Sequence, residues 1–309
     1  MRLGDPITLQ TLALYALAPV TALLGLGVAA ALVATALVAA AGLALRQRRV
    51  MSPPADSTLE LHTITYSHYV EKVRWCLDAT GIPYRELPSI GILGLLLTGR
   101  TVPMLVVPAA RSTICESSQI LRYLWGAWSA TLPAAGLLAP SPERLALEKH
   151  FDEELGINVR LWSYWHLLEQ PDLTLLMWGI DEPQIPGWQR GILPYIRFPL
   201  ATMLRRALGV SGPRAKEGLE ATRRVFAEVD AMLSDGRRYL EAGPEKTFVD
   251  ITFASLAALA LFPEGYAGSA ASMRRLPLDR LTPAWREEVE ALRATAAGRF
   301  ALRLYAEER

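Results

Sequence analysis

The pattern of apolar and polar positions divides the chain into three parts. No charged side chain occurs from Ile7 to Leu45, although charged residues are frequent in the rest of the chain. Short runs of alternating apolar and polar residues follow between positions 59 and 115, with helical spacing between them. Beyond position 141, apolar residues recur every three or four positions almost throughout. The pattern therefore predicts an apolar N-terminal segment, an α/β unit and an all-helical unit.

The α/β unit, residues 58–128, is predicted in the order β-α-β, an irregular piece and β-β-α, which is thioredoxin-like. Gly81 and Pro83 end its first helix, as glycine and proline commonly do just beyond a helix C-terminus. Pro103 lies at the start of the third strand, where proline's missing N–H group is tolerated. The predicted strands cover 59–64, 84–87, 102–107 and 112–115, and the predicted helices cover 67–80 and 116–125.

The all-α unit, residues 141–309, is predicted to contain four main helices, of which the most apolar is expected at the centre. Residues 189–208 mix four arginines with large apolar side chains. Two interpretations fit this stretch: a helix lying on a membrane surface, and an amphipathic helix packed on the domain. The predicted main helices cover 141–169, 212–234, 247–262 and 283–304.

The uncharged N-terminal run is about twice the roughly 20 residues that one membrane-spanning helix needs. A single tilted span over 18–45 and a helical hairpin reversing near 24–27 both fit. Arg46, Arg48 and Arg49 follow the run, and the positive-inside rule places that end in the cytoplasm. A secretory signal peptide fits less well, because the run is too long and the basic cluster lies on the wrong side.

We therefore expect residues 1–50 to be a transmembrane anchor in the lipid bilayer and residues 51–57 to be a short linker. The protein would then be localised to a membrane, with its soluble domains on the cytoplasmic side.

Charge and cysteine content exclude several classes of function. The formal net charge is +1, from 32 basic and 31 acidic residues, so no basic excess favours nucleic-acid binding. Cys76 and Cys115 form no Cys-x-x-Cys pair, and we expect both to be buried small side chains. The four histidines are scattered and suggest no metal site. His68 is expected to be a solvated turn residue.

Three motifs occur in a fixed order within the α/β unit. The first is Ser-His-Tyr-Val-Glu-Lys-Val-Arg-Trp-Cys-Leu over 67–77, and the second is Thr-Val-Pro-Met-Leu over 101–105. The third is Glu-Ser-Ser-Gln-Ile-Leu-Arg-Tyr-Leu over 116–124. Together they resemble the glutathione transferase superfamily over residues 59–309. The first motif is similar to a serine-type bacterial subgroup that reads Ser-His-Tyr-x-Glu-Lys-x-Arg-Trp.

The resemblance implies a role for each motif. Ser67 would donate a hydrogen bond to the glutathione sulfur at a helix N-terminus, where the nucleophilic thiolate is favoured. Tyr69 is an alternative donor. Val102 would pair its backbone with glutathione ahead of a cis Pro103. At the start of the next helix, the γ-glutamyl amine and carboxylate would be held by Glu116 and Ser117.

The resemblance also covers the second substrate and the fold of the helical unit. The first long helix of that unit borders the electrophile pocket in the family, so Trp162 and Trp165 are candidate lining residues, together with Tyr69. Thr247 and Asp250 resemble the family's capping box, which serves folding.

Two departures from the family pattern bear on activity. Val70 stands where the subgroup has cysteine, and Ser67 stands where glutaredoxin-like members have their redox cysteine. Because neither position carries a thiol, dithiol exchange is excluded. The apolar run 91–97 replaces the usual polar or basic contacts to glutathione, and only Arg100 is nearby.

The resemblance implies a metal-free enzyme that conjugates glutathione, as co-substrate, to a small hydrophobic electrophile. The family is usually a homodimer, an arrangement that an anchor could change. The alternative is a non-catalytic binding or scaffold protein of the same fold at the membrane.

Overall fold

The computed structural model describes residues 58–90, 102–268 and 278–309. The predicted anchor and linker, the apolar run 91–97 and Arg100 lie outside these ranges. Within the described ranges, none of the helices combines the length and apolar character that crossing a membrane requires.

The α/β unit contains a four-stranded sheet in the order β2-β1-β3-β4. Strand β2 runs parallel to β1, whereas β3 is antiparallel to β1 and β4 is antiparallel to β3. All four predicted strands are present, although the third begins at Met104 rather than at position 102. The strands are β1 (Leu59–Ile64), β2 (Tyr84–Ser89), β3 (Met104–Val107) and β4 (Ser112–Cys115).

Two helices complete this unit. Helix α1 (His68–Thr80) starts at Ser67, whose side chain accepts a hydrogen bond from the Val70 N–H, and ends at Gly81 with φ +70°. Glycine adopts this left-handed conformation without a Cβ penalty, so the predicted end of the helix is confirmed. Helix α2 (Ser117–Trp128) runs one turn further than predicted. The thioredoxin-like order is confirmed.

The described part of the C-terminal unit is helical, as predicted, but its helices begin and end at different residues. The predicted helix 141–169 contains a wider π-helical turn, Phe151–Gly156, between two α-helical parts. The predicted helix 283–304 is two helices, because Thr295 caps a new one by accepting a hydrogen bond from the Gly298 N–H. The helices are α3 (Pro142–His150), α4 (Ile157–Leu168), α5 (Pro171–Met177), α6 (Gly187–Leu208), α7 (Gly212–Met232), α8 (Phe248–Leu261), α9 (Pro283–Arg293) and α10 (Ala296–Glu308).

Helix α8 is buried along its whole length and forms the centre of the helical unit, as its apolar composition predicted. Its start carries the predicted capping box. Thr247 accepts from the Val249 N–H, while the Asp250 carboxylate accepts from the N–H groups of Thr247 and Leu240. The aspartate therefore has a structural role in fixing the helix start.

Buried ion pairs join α1 to the C-terminal part of the chain. Glu71 is fully buried and accepts hydrogen bonds from Arg74 (2.7 Å), Arg309 (2.8 Å) and the Ala267 N–H (3.1 Å). Arg74 also pairs with Glu86 of β2 at 2.6 Å. These charged residues of the first motif therefore hold the sheet, α1 and the C-terminal helices in one arrangement.

Candidate active site

A cavity of about 830 Å³ lies between the α/β unit and the helical unit. One wall is formed by residues 102–103 and by the first turn of α2. The opposite wall is formed by α3, the π-helical turn and the first turn of α4. Both walls carry charged side chains, which makes the cavity suited to a polar, charged ligand.

The four residues predicted to hold glutathione, Val102, Pro103, Glu116 and Ser117, all line this cavity. The peptide bond between Val102 and Pro103 is cis. Glu116 has a φ of +72° and is exposed, and its carboxylate does not cap α2. The Glu116 carboxylate, which has no capping role, can bind an amine. The N–H groups in the first turn of the twelve-residue helix α2 can bind a carboxylate.

Ser67, the predicted catalytic residue, is 8% exposed and does not line the cavity. Its oxygen accepts a long hydrogen bond of 3.4 Å from the Val70 N–H. A hydroxyl that accepts in this way still has its own proton to donate. Ser67 thus combines the helix-capping role with a free donor at the start of α1.

Tyr69 lines the cavity next to this helix start, but its hydroxyl is already used. It donates a hydrogen bond of 2.7 Å to the backbone carbonyl of Asp152 in the π-helical turn. Burial, together with the Asp152 carboxylate, raises the pKa of Tyr69 above its usual value, so the phenol stays protonated. Tyr69 is therefore a wall residue and a structural donor.

His68 is buried, which shows that the prediction of a solvated turn residue was wrong. Its side chain is 2% exposed, and its Nε2 lies 2.9 Å from the carbonyl oxygen of Gly156, to which it donates. Burial lowers the pKa of His68 to about 3, and the nearby positive charge of Arg160 contributes. His68 is therefore neutral and links α1 to the π-helical turn.

Gly156 allows this close approach. A Cβ atom at position 156 would lie 2.3 Å from Tyr69 Oη and 2.7 Å from its Cζ, distances that no side chain tolerates. The hydrogen bonds of His68 and Tyr69 reach the carbonyls at positions 156 and 152, the two ends of this turn region. The wide π-helical turn and its glycine thus set the position of the start of α1 against the helical unit.

A buried cluster of charged residues connects the elements that form the cavity. Lys72 is fully buried and lies 2.9 Å from carboxylate oxygens of both Asp152 and Glu148, and it donates to Ser118. Glu148 also pairs with Arg122 at 3.4 Å. Because α1, α2, α3 and the π-helical turn all contribute, the cluster fixes both walls of the cavity relative to each other.

Arg160 on α4 is a cavity residue that the sequence interpretation missed. It lines the cavity beside Tyr69, and its Nε is buried without a hydrogen-bond partner. A lone cation between the apolar neighbours Val159 and Leu161 was the only sequence signal that could have indicated it.

The two tryptophans proposed for a hydrophobic pocket do not line this cavity. Trp162 is 1% exposed and donates from its indole Nε1 to Glu288 at 2.9 Å, so it belongs to the core of the helical unit. Trp165 is half-buried and lies under the Arg205 guanidinium, 5.6 Å from its ring centroid. On the wall formed by the helical unit, the apolar lining residues are Leu145 and Ile157 instead.

The cysteines do not contribute to the cavity wall. Cys76 is fully buried, as predicted, and burial raises the pKa of its thiol to about 12. Cys115 is only partly buried, contrary to the prediction. Over 58–90, 102–268 and 278–309 there is also no group of side chains suited to holding a metal ion.

Comparison with known proteins supports the fold. Residues 61–128 match the family model of the glutathione S-transferase N-terminal domain. None of the curated proteins matches the chain. Among solved structures, glutathione transferase GSTFuA3 from Phanerochaete chrysosporium is 16% identical, with a TM-score of 0.51, and the match covers 81% of this chain and 96% of that one.

A second structure, the glutathione S-transferase CsGST63524 of Ceriporiopsis subvermispora in complex with glutathione, is 15% identical with a TM-score of 0.47. That match covers 81% of this chain and 97% of the other. The family match and the likeness to GSTFuA3 support a glutathione S-transferase fold, an α/β N-terminal unit followed by a helical C-terminal unit.

Proposed function

We propose that the protein is a glutathione transferase that acts at a membrane and conjugates glutathione to an electrophilic substrate. One observation carries the proposal: Val102, Pro103, Glu116 and Ser117 line one wall of a cavity large enough for a tripeptide. Glu116 supplies the negative charge for the γ-glutamyl amine, and Ser117 with the start of α2 supplies donors for the γ-glutamyl carboxylate. The backbone of Val102 pairs with the cysteinyl group as an added strand would.

In this arrangement the cysteinyl sulfur lies toward the start of α1. The thiol proton leaves to solvent, and the thiolate electron pair attacks the electrophilic carbon while the leaving group departs. The Ser67 hydroxyl donates toward the sulfur, and the positive end of α1 favours the anion. Leu145 and Ile157 give the wall opposite Glu116 and Ser117 an apolar surface for the electrophile.

Helix α6 supports the membrane part of the proposal. It contains four arginines and no acidic residue, and its outer face exposes Tyr195 (85%) and Phe198 (72%). Exposed aromatic side chains next to arginines suit the headgroup region of an anionic bilayer. Together with the uncharged segment 7–45, this face supports a protein anchored to the cytoplasmic side of a membrane by residues 1–50.

The enzymatic proposal is tested by conjugation of glutathione to chlorodinitrobenzene with the full-length protein. We expect saturable turnover that falls at least tenfold in Ser67→Ala. The control is Ser141→Ala, because Ser141 caps α3 in the same way, by accepting from the Arg144 N–H at 3.2 Å, and lies away from the sulfur. Equal turnover in both variants would show that Ser67 acts only as a helix cap.

The membrane proposal is tested with an environment-sensitive fluorophore on Phe198→Cys in the full-length protein reconstituted in nanodiscs. We expect a blue-shifted emission that strengthens with anionic lipid. A fluorophore on Glu220→Cys, an exposed position on α7, is the control and should not respond. The same emission at both positions would argue against contact of α6 with the bilayer.

A second candidate function is non-catalytic binding of glutathione. It is favoured by one observation, the absence of Ser67 from the cavity wall. Saturable glutathione binding without turnover of several electrophiles would support this alternative.

A further inference from the structure

We propose that Arg160 is a further catalytic residue of this site and that its guanidinium stabilises the thiolate of bound glutathione. The inference rests on the proposed function and adds to it the group that supplies positive charge at the sulfur. Its basis is the placement of Arg160 in the cavity wall and the lack of an ion-pair partner for it among the described residues.

Among the residues that the structure describes, three cationic side chains line the cavity: Arg122, Lys149 and Arg160. Arg122 pairs with Glu148 at 3.4 Å, and Lys149 lies 4.0 Å from Glu153. Arg160 has neither an ion-pair partner nor a hydrogen-bond partner within the part of the chain that the structure describes. Its Nε atom is nevertheless buried, so solvation by water does not satisfy that donor. A buried, unsatisfied cationic donor in a cavity wall indicates a site for an anion.

The position of Arg160 points to the sulfur rather than to the γ-glutamyl end of the ligand. Arg160 lines the cavity together with Tyr69 in the first turn of α1, and its charge contributes to lowering the pKa of the adjacent His68. It also opposes the rise in the pKa of Tyr69 that burial and Asp152 cause. The γ-glutamyl groups at Glu116 and Ser117 lie against the start of α2 instead. The field of Arg160 therefore acts at the helix start where the sulfur is expected.

The other hydrogen-bond donors near the expected sulfur position do not supply the positive charge that a thiolate needs. The Tyr69 hydroxyl is committed to the Asp152 carbonyl, and the Ser67 hydroxyl is a neutral donor that brings no positive charge to the sulfur. A free thiol has a pKa of about 8.5, so most of it is protonated at neutral pH. A guanidinium in contact with the sulfur would shift the equilibrium toward the thiolate, because a nearby opposite charge favours the ionised form. The thiol proton goes to solvent.

The experiment is a pH titration of the ultraviolet thiolate absorbance of glutathione bound to the full-length protein. We expect Arg160→Gln to raise the pKa of the bound thiol by about one unit or more. Arg160→Lys should restore part of the shift, because it keeps the charge. Lys216→Gln is the control, since Lys216 is an exposed cation on α7 that does not line the cavity, and it should leave the thiol pKa unchanged.

Binding of S-methylglutathione, which has no thiol to ionise, separates the sulfur from the other anionic groups of the ligand. We expect its affinity to change less than twofold in Arg160→Gln. A loss of S-methylglutathione affinity as large as the loss for glutathione would overturn the proposal, because Arg160 would then hold a carboxylate. An effect of Arg160→Gln confined to acidic electrophiles would overturn it too, since the anion would belong to the second substrate.

The outcomes also separate this inference from the proposed function. Wild-type protein that binds glutathione, with the same thiol pKa in Arg160→Gln, overturns the role of Arg160 alone. Wild-type protein that does not bind glutathione overturns both.

Discussion

The hydroxyl of Tyr69 donates a hydrogen bond to the backbone carbonyl of Asp152, 83 residues further along the chain, at 2.7 Å. The carboxylate of the same Asp152 pairs with Lys72, one turn further along α1. The start of α1 is thus held to the π-helical turn by both a neutral and a charged contact. Since that turn forms one wall of the cavity, the placement of the expected sulfur position depends on it.

A first prediction concerns Gly156. In Gly156→Ala the new Cβ would lie 2.3 Å from Tyr69 Oη, so the tyrosine ring or the turn has to move. Overpacking of this kind typically costs about 1–3 kcal/mol. We expect that loss in urea unfolding, together with a reduced rate of glutathione conjugation.

The control for this prediction is Gly126→Ala in α2. A Cβ at Gly126 meets nothing within 4 Å, and alanine is the better helix former. This variant should be unchanged or up to about 1 kcal/mol more stable. Equal stability of the two variants would show that the turn accommodates a side chain at position 156.

A second prediction concerns acid stability. The pKa of His68 is about 3 in the folded protein and near 6.5 when unfolded, because burial disfavours the charged form. Its contribution to stability is therefore complete above pH 6.5 and is lost as the pH falls from 6.5 toward 3, since the unfolded state binds the proton first. Between about pH 6.5 and 4.5 this loss amounts to about 2 kcal/mol.

The measurement is the free energy of unfolding against pH for wild type and His68→Gln. The glutamine has no titration, so we expect its stability to fall less steeply over this interval. Parallel curves would contradict the assignment of a buried, neutral His68.

A third prediction concerns Glu71. Glu71→Gln removes the negative charge that Arg74 and Arg309 share in a fully buried site. Arg74 keeps its pair with Glu86 and Arg309 keeps its pair with Asp78, so the loss is that of charged hydrogen bonds, roughly 1.5–3 kcal/mol. Glu220→Gln is the control, because Glu220 pairs with Arg223 on the surface, and it should change stability by less than about 1 kcal/mol. Similar losses in both would show that the buried network contributes little.

The sequence predicts the helix and strand positions of this chain well where the signals are local. Ser67, Gly81 and Thr247 act on neighbouring backbone groups, so the ends of their helices could be predicted from residue type. The alternation in β1 and the apolar character of α8 are likewise properties of a single segment, so each can be recognised without knowing the rest of the fold. Val102, Pro103, Glu116 and Ser117 could be identified as candidates because each lies in a short contiguous motif.

The missed features depend on residues far apart in the sequence. His68 is buried by a turn 88 residues away, so its position before a helix wrongly indicated solvent exposure. Nothing in the apolar spacing reveals the π-helical turn, because the spacing continues across it. Trp162 and Arg160 lie two positions apart on α4, yet one packs in the core and the other lines the cavity. Their assignment depended on which face of α4 meets the α/β unit.

The central claim is that the cavity holds glutathione through Glu116. Calorimetric titration of the full-length protein with glutathione tests it most directly, using Glu116→Gln and, as control, Glu153→Gln, which removes another carboxylate from the cavity wall. We expect saturable binding at millimolar glutathione or below, weakened about tenfold or more by Glu116→Gln, because a hydrogen bond to a charged group contributes about 1.5–3 kcal/mol. Glu153→Gln should bind like wild type. No binding by wild type at millimolar glutathione, or equal affinity of Glu116→Gln and wild type, would contradict the account.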